Sequence, residues 1–149
     1  MGMFDAMHIS ASGLTAERLR MDVIAQNLAN ANSTTSLQPD GTYGPYRRKE
    51  VIFRAIDGAG SSSGISGGSA RLPKGGVDIM GIVDDASPLR AVHDPGHPQA
   101  DANGYVMLPN VNPVTEMVDM MTATRAYEAN VTAMNAAKNM ALKALDILR

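Results

Sequence analysis

Apolar positions near the N-terminus recur on a helical period. From Asp5 to about Asn30 there is no proline, and Gly13 is the single glycine. Met7, Ala11, Leu14, Arg18, Met21, Ala25 and Leu28 advance by alternating steps of four and three. That spacing lays Leu14, Met21 and Leu28 along one heptad seam with one charged member, Arg18. Glu17, Arg18, Arg20 and Asp22 form a short charged belt beside it. The C-terminal pattern is longer. Asn112 suits a helix N-cap and Pro113 the first helical position, where its missing N–H would be unpaired anyway. From Val114 to Arg149 there is neither Gly nor Pro. Val114, Met117, Met121, Thr124, Tyr127, Val131, Met134, Ala137, Ala141, Leu145 and Leu148 mark an apolar stripe, with acids early (Glu116, Asp119) and bases late (Lys138, Lys143), as a helix dipole prefers. At ~1.5 Å per residue the two rods would run roughly 40 Å and 55 Å.

Between them the pattern changes. Twelve of 14 Gly and seven of 8 Pro fall between residues 33 and 112, so helix breakers gather in the middle. A basic cluster, Arg47-Arg48-Lys49, precedes the apolar run Val51-Ile52-Phe53 and reads as a solvated strand edge. Residues 58–69 are a Gly/Ser-rich stretch with the composition of a flexible loop. Residues 76–84 and Leu89-Arg90-Ala91-Val92 read as strands, and Asn103-Gly104 is a turn leading into Tyr105-Val106-Met107-Leu108. The expected fold is mainly α with a small β-rich insert (α+β), its end helices forming a coiled-coil-like pair. The segments are residues 1–34, an insert over 35–112, and 113–149.

Composition narrows the function. The chain has 149 residues and a net charge of -2, too little basic surface for a protein that coats nucleic acid. Zero Cys excludes disulfide scaffolds, thiolate zinc sites and cysteine nucleophiles. No run of 18 apolar residues is present, and the N-terminus lacks the basic opening of a cleaved signal peptide. Of 11 Met, nine lie in the two end segments, beside only 6 aromatic residues in the whole chain. Seams of Met, Ala and Val favour close, adaptable contacts. A pair of such helices cannot bury both stripes on its own, so the seams are expected to meet other chains.

Chemistry has little foothold. His93 and His97, with Asp101 nearby, have the spacing of a metal site on a helix, but Pro95, Gly96 and Pro98 forbid that helix. A metal-binding enzyme using His93 and His97 is therefore the distant alternative. Asp84-Asp85 are sequential and would point to opposite faces of a strand. No phosphate-binding, dinucleotide or nucleophile-elbow motif occurs. No catalytic residue, metal site, cofactor or small-molecule ligand is expected.

Ile9-Ser10-Ala11-Ser12-Gly13-Leu14, followed by Asn27-Leu28-Ala29-Asn30 with Asn32 and Thr34, resembles the N-terminal signature of bacterial flagellar axial proteins: rod, hook and hook-associated. Many members continue with Thr-Pro-Gly-Tyr. This chain instead reads Thr34-Thr35-Ser36-Leu37, then Gly44-Pro45-Tyr46-Arg47-Arg48-Lys49, as proximal rod members do. Asp94-Pro95-Gly96-His97-Pro98, Pro109-Asn110-Val111-Asn112-Pro113, Glu116 to Met121 and Arg125 to Asn130 are similar to the second half of such proteins. The resemblance implies a structural subunit of the flagellar basal-body rod that spans the periplasm, exported through the flagellar type III apparatus without signal cleavage. Its terminal helices would join the inner layer of a helical tube that transmits motor torque. The implied partners are copies of itself, other rod proteins, and components of the inner-membrane ring and export gate. A distal rod or hook-base subunit is the nearer alternative. The expected subunit-interface residues are Leu14, Met21, Asn27, Leu28, Asn30, Met117, Met121, Tyr127, Val131, Met134, Leu145 and Leu148. The asparagines are cast as residues that fix register between subunits.

Overall fold

The computed structural model describes residues 3–37, 41–56 and 75–147. The Gly/Ser-rich stretch 58–69 and Leu148 lie outside them. Along the chain run α1 (Met3–Ala29), β1 (Ser36–Leu37), β2 (Tyr43–Gly44), β3 (Lys49–Ala55), β4 (Val77–Asp84), β5 (Arg90–His93), β6 (Tyr105–Leu108) and α2 (Pro113–Ile147). This is the expected α+β order, two long end helices with small β elements between.

Local chemistry sets the boundaries. The Val114 N–H donates to Asn112 Oδ1 at 3.1 Å, and the Glu116 N–H donates to the Asn112 carbonyl at 3.0 Å. Asn112 is thus a working N-cap with Pro113 behind it. At the end of α1, Asn30 Nδ2 donates to the Gln26 carbonyl at 2.9 Å and stands in for the glycine cap the chain lacks there. The strands pair as three separate ribbons, β1 with β2, β3 with β4, and β5 with β6. In the last, Arg90 faces Leu108 and His93 faces Tyr105 in an antiparallel register. Two-stranded ribbons are marginal alone and depend on what they pack against.

In space the chain divides into two compact units, each holding part of both helices. The first takes the described parts of Met1–Leu19, Ile52–Gly81 and Thr122–Arg149; the second takes Arg20–Val51 and Ile82–Met121. In the first unit the buried side chains among the described residues are three alanines, Ala16, Ala123 and Ala137. Gly13 sits against Asn130, so close that an added Cβ would stand 3.0 Å from its Nδ2. Ser12 Oγ donates to the Ile9 carbonyl at 2.7 Å and accepts the Val77 N–H at 3.1 Å, which fastens the start of β4 to α1. Gly76 makes that approach possible with a left-handed φ of 127°. In the second unit the buried set is larger and more varied: Val23, Ile24, Asn27, Ala31, Tyr46, Val106, Pro109, Val111 and Glu116.

The protected face of each helix differs from the stripe expected from its large apolar residues. On α1 the inward positions include Ile9, Gly13, Ala16, Arg20, Val23 and Asn27, again in steps of four and three. On α2 they are Glu116, Met120, Ala123, Tyr127, Asn130, Met134, Ala137, Ala141 and Ala144. The expected α1 seam is turned outward at Ala11, Arg18, Ala25 and Leu28, and the α2 stripe at Val114, Met117, Met121, Thr124, Val131 and Leu145. The reason is size. The most protected positions of the first unit are Ala16, Ala123 and Ala137, with Gly13 close by, while Leu28, Met117, Met121 and Leu145 are left outside.

Candidate functional site

The most organised chemistry lies in the second unit, around Asn27 and Glu116. Asn27 is 1% exposed and Glu116 0%, yet both are polar and one is an acid. Such burial is tolerable only if every hydrogen-bonding position is met. Asn27 meets all four of its own. Its Nδ2 donates to the Lys49 carbonyl at 2.9 Å and to Glu116 Oε2 at 3.1 Å. Its Oδ1 accepts the Lys49 N–H at 2.9 Å and the Tyr46 hydroxyl at 2.9 Å. One amide side chain thereby pairs with both backbone groups of Lys49, as a neighbouring strand would.

Glu116 is held from its other side by Arg48, whose Nε donates to Oε1 at 2.6 Å. Arg48 also contacts Glu50, Asp85 (3.7 Å) and Asp119 (3.6 Å), one cation serving four carboxylates. Burial works against the guanidinium charge, but its hydrogen bonds to Glu116 and Glu50 outweigh that and hold its pKa above the ordinary value. Backbone bonds lock the same point. The Arg48 N–H donates to Asn110 Oδ1 at 2.8 Å, the Asp85 N–H donates to the Arg48 carbonyl at 2.7 Å, and Asn110 Nδ2 reaches the Asp85 and Ser87 carbonyls. Burial is also the main cause that raises the Tyr46 hydroxyl pKa, with Asp84 and Glu116 adding to it. Asp85 shifts the other way: hydrogen bonds from the Ser87 hydroxyl and N–H, then Arg48, outweigh its slight burial and lower it.

This junction corrects the reading of Arg48 as part of a solvated strand edge. Arg48 turns inward onto Glu116, while its neighbour Arg47 stays exposed. The arrangement is mechanical rather than catalytic: a satisfied ion-pair network that ties α1, the segment before β3 and the start of α2. Its one sequence signal is a pair of polar residues, Asn27 and Glu116, set at heptad positions among small apolar ones.

The expected interface residues fall into three groups. Leu28, Met117, Met121, Val131 and Leu145 are exposed. Leu14, Met21, Asn30, Tyr127 and Met134 are half-buried. Asn27 is wholly spent inside the chain, so its register-setting chemistry acts between elements of one molecule. The histidines do not converge on a metal. His93 packs edge-on against the Tyr105 ring at 5.1 Å, and His97 Nδ1 accepts the Gln99 N–H at 3.2 Å. Among the described residues no group of three metal-capable side chains comes together. No helix of the described residues is long and apolar enough to cross a membrane.

The two helical ends match two protein families. Residues 7–36 fit the flagella basal body rod protein model, and residues 102–147 fit the C-terminal model of flagellar basal body rod FlgEFG proteins. Full-length likeness is more specific. The chain is 48% identical to the flagellar basal-body rod protein FlgC of Bacillus subtilis, over 99% of both chains. It is 45% identical to FlgC of Borreliella burgdorferi over 100% of this chain and 99% of the other. For FlgC of Salmonella typhimurium the figure is 40%, over 99% and 98%. Residues 37–101, the part of the chain that neither family model covers, are therefore shared with these relatives along with the helices. By this end-to-end likeness the chain belongs to the FlgC family of flagellar basal-body rod proteins and is a structural subunit of the bacterial flagellar rod.

Proposed function

We propose that the chain is a proximal-rod subunit, packing with copies of itself and with other rod proteins into a helical tube that carries motor torque across the periplasm. It reaches that position through the flagellar type III export apparatus without losing a signal peptide, and meets the inner-membrane ring and export gate at the tube base. Within the subunit, α1 and α2 act as an antiparallel coiled-coil-like pair. Supporting this, Gly13 meets Asn130 and Asn27 meets Glu116. Gly13 and Asn27 are 14 residues apart, as are Glu116 and Asn130, but in opposite order. That is the spacing of two heptads in an antiparallel pair.

The observation that carries the reading is that each helix has two faces on a heptad period. One face is spent within the chain, while the face bearing Leu28, Met117, Met121, Val131 and Leu145 stays open. Burying each of those side chains against a neighbour is worth ~1.5–3 kcal/mol, and many such contacts in parallel suit a torque-bearing tube. The test is Met117→Glu with Met121→Glu, two exposed positions whose change leaves the folded chain intact. The double variant is expected in the culture supernatant and missing from purified basal bodies. Normal incorporation of that variant would contradict the proposal.

A further inference from the structure

A second surface of the second unit is built for a partner. β1 and β2 form a short antiparallel ribbon in which Leu37 lies opposite Tyr43. Opposed residues project from the same face of a ribbon. Here that face is open: Leu37 is 65% exposed and Tyr43 76%. Leu37 also lines a cavity of about 480 Å³ whose walls include Pro45, Arg47, Lys49 and Asp84. Arg48 is engaged with four carboxylates, but the side chains of Arg47 and Lys49 make no ion pair among the described residues, and neither does Asp84. The cavity thus offers an aliphatic rim, two available cations and one available anion. It is the right size for two or three side chains, not for a helix.

Its complement is a turn of helix that exposes two aliphatic side chains beside one acid and one base. The described helices contain one turn of that kind whose carboxylate makes no ion pair with a described residue. Near the end of α2, Leu142 and Leu145 are each more than half exposed, and Lys143 and Asp146 are exposed alongside them and make no ion pair among the described residues. The outward stripe Val114, Met117, Val118 and Met121 is apolar too, but its nearest acids are Glu116, which is buried, and Asp119, which pairs with Arg48. We infer that the Leu37/Tyr43 ribbon and its cavity receive the last described turn of α2 from a second copy of this chain. Leu142 and Leu145 lie against Leu37 and Pro45, Asp146 faces Arg47 and Lys49, and Lys143 faces Asp84. Used in one direction only, as along a rod, the contact is heterologous, and repeated heterologous contacts build rings or helical filaments rather than closed dimers. The inference rests on the copy-to-copy assembly proposed above and specifies one of its contacts.

The chain has no native cysteine, so introduced thiols report without interference. Two chains of different tag length, one carrying Leu37→Cys and the other Leu145→Cys, are co-expressed, and oxidised basal bodies are purified. A mixed disulfide of intermediate mass is the expected product, absent when Ala133→Cys replaces Leu145→Cys. Lys49→Glu should lower the cross-linked yield several-fold, as loss of a surface ion pair and introduction of a like charge do, and Asp146→Lys in the partner should restore it. Leu37-to-Leu37 products alone, a disulfide-free rod, or a link to a different rod protein would each overturn the inference. If the tagged chains are present in the rod but unlinked, this contact is wrong and the rod assignment stands. If they are absent from the rod altogether, the assembly reading itself fails.

Discussion

The two units use the same pair of helices in opposite ways. The second unit buries a glutamate, an asparagine and a tyrosine and satisfies them with Arg48 and with backbone groups. The first buries alanines among its described residues, opposes Gly13 to Asn130, and leaves Glu17 Oε2 without a hydrogen-bond partner. A buried polar network is unforgiving: complete, it fixes one register; broken, it strands a charge in a low dielectric. An alanine interface is permissive, since it packs closely but gains little apolar area per residue. A subunit that must be held in a defined shape yet fit against several neighbours is served by both kinds of region.

The largest break is expected at Arg48. Arg48→Ala leaves the Glu116 carboxylate buried without its cation and should cost ~3–5 kcal/mol. Hydrogen exchange at the Lys49 and Asp85 amides checks this, and the double variant with Glu116→Gln should recover part of the loss, because the stranded charge is gone. Asn27→Ala comes next. It orphans the Tyr46 hydroxyl, both Lys49 backbone groups and one Glu116 oxygen, for a loss of ~2–3 kcal/mol, whereas Asn130→Ala in the other unit should cost under about 1 kcal/mol. Urea titration of both variants gives the ratio directly.

Alkaline pH should reach the second unit first. The folded Tyr46 pKa lies above its unfolded value, so its contribution is complete below the ordinary tyrosine range, about 10, and is lost as pH rises through the folded value. Stability measured from pH 8 upward should fall across that window, and Tyr46→Phe should flatten the fall. The smallest effect is at Gly13. Gly13→Ala gains up to about 1 kcal/mol of helix propensity but presses on Asn130, so the two should nearly cancel. Gly13→Ala with Asn130→Ala should then be more stable than the wild-type chain by a melting-temperature shift of a few degrees.

Much of the fold was legible in the residue pattern. Asn112-Pro113 announced the start of α2, the absence of Gly and Pro its length, and Asn103-Gly104 the turn before β6. The orientation of the helices was not. A stripe of Met and Leu looks like the seam of a helical pair, but Ile9, Gly13, Ala16, Arg20, Val23 and Asn27 keep the same steps of four and three, with Gly and Ala among them. Periodicity alone cannot choose between two faces that share a period; backbone approach chooses the smaller one. The junction was hidden for a different reason. Arg48 and Glu116 are 68 residues apart, and nothing local distinguishes Arg48 from Arg47 and Lys49 beside it. The two-residue strands β1 and β2 were likewise too short to leave a pattern.

The central claim is that the polar network fixes the second unit already in the free chain, while the alanine-lined first unit depends more on the neighbours proposed for it in the rod. Hydrogen exchange on the free chain and on chain within purified basal bodies tests it most directly. In the free chain the amides of Lys49 and Asp85 should be protected, while those around Ala123 to Ala137 exchange at least about a hundredfold faster. In the basal body that gap should close, with the second set gaining protection. Equal, strong protection of both sets in the free chain would contradict the account.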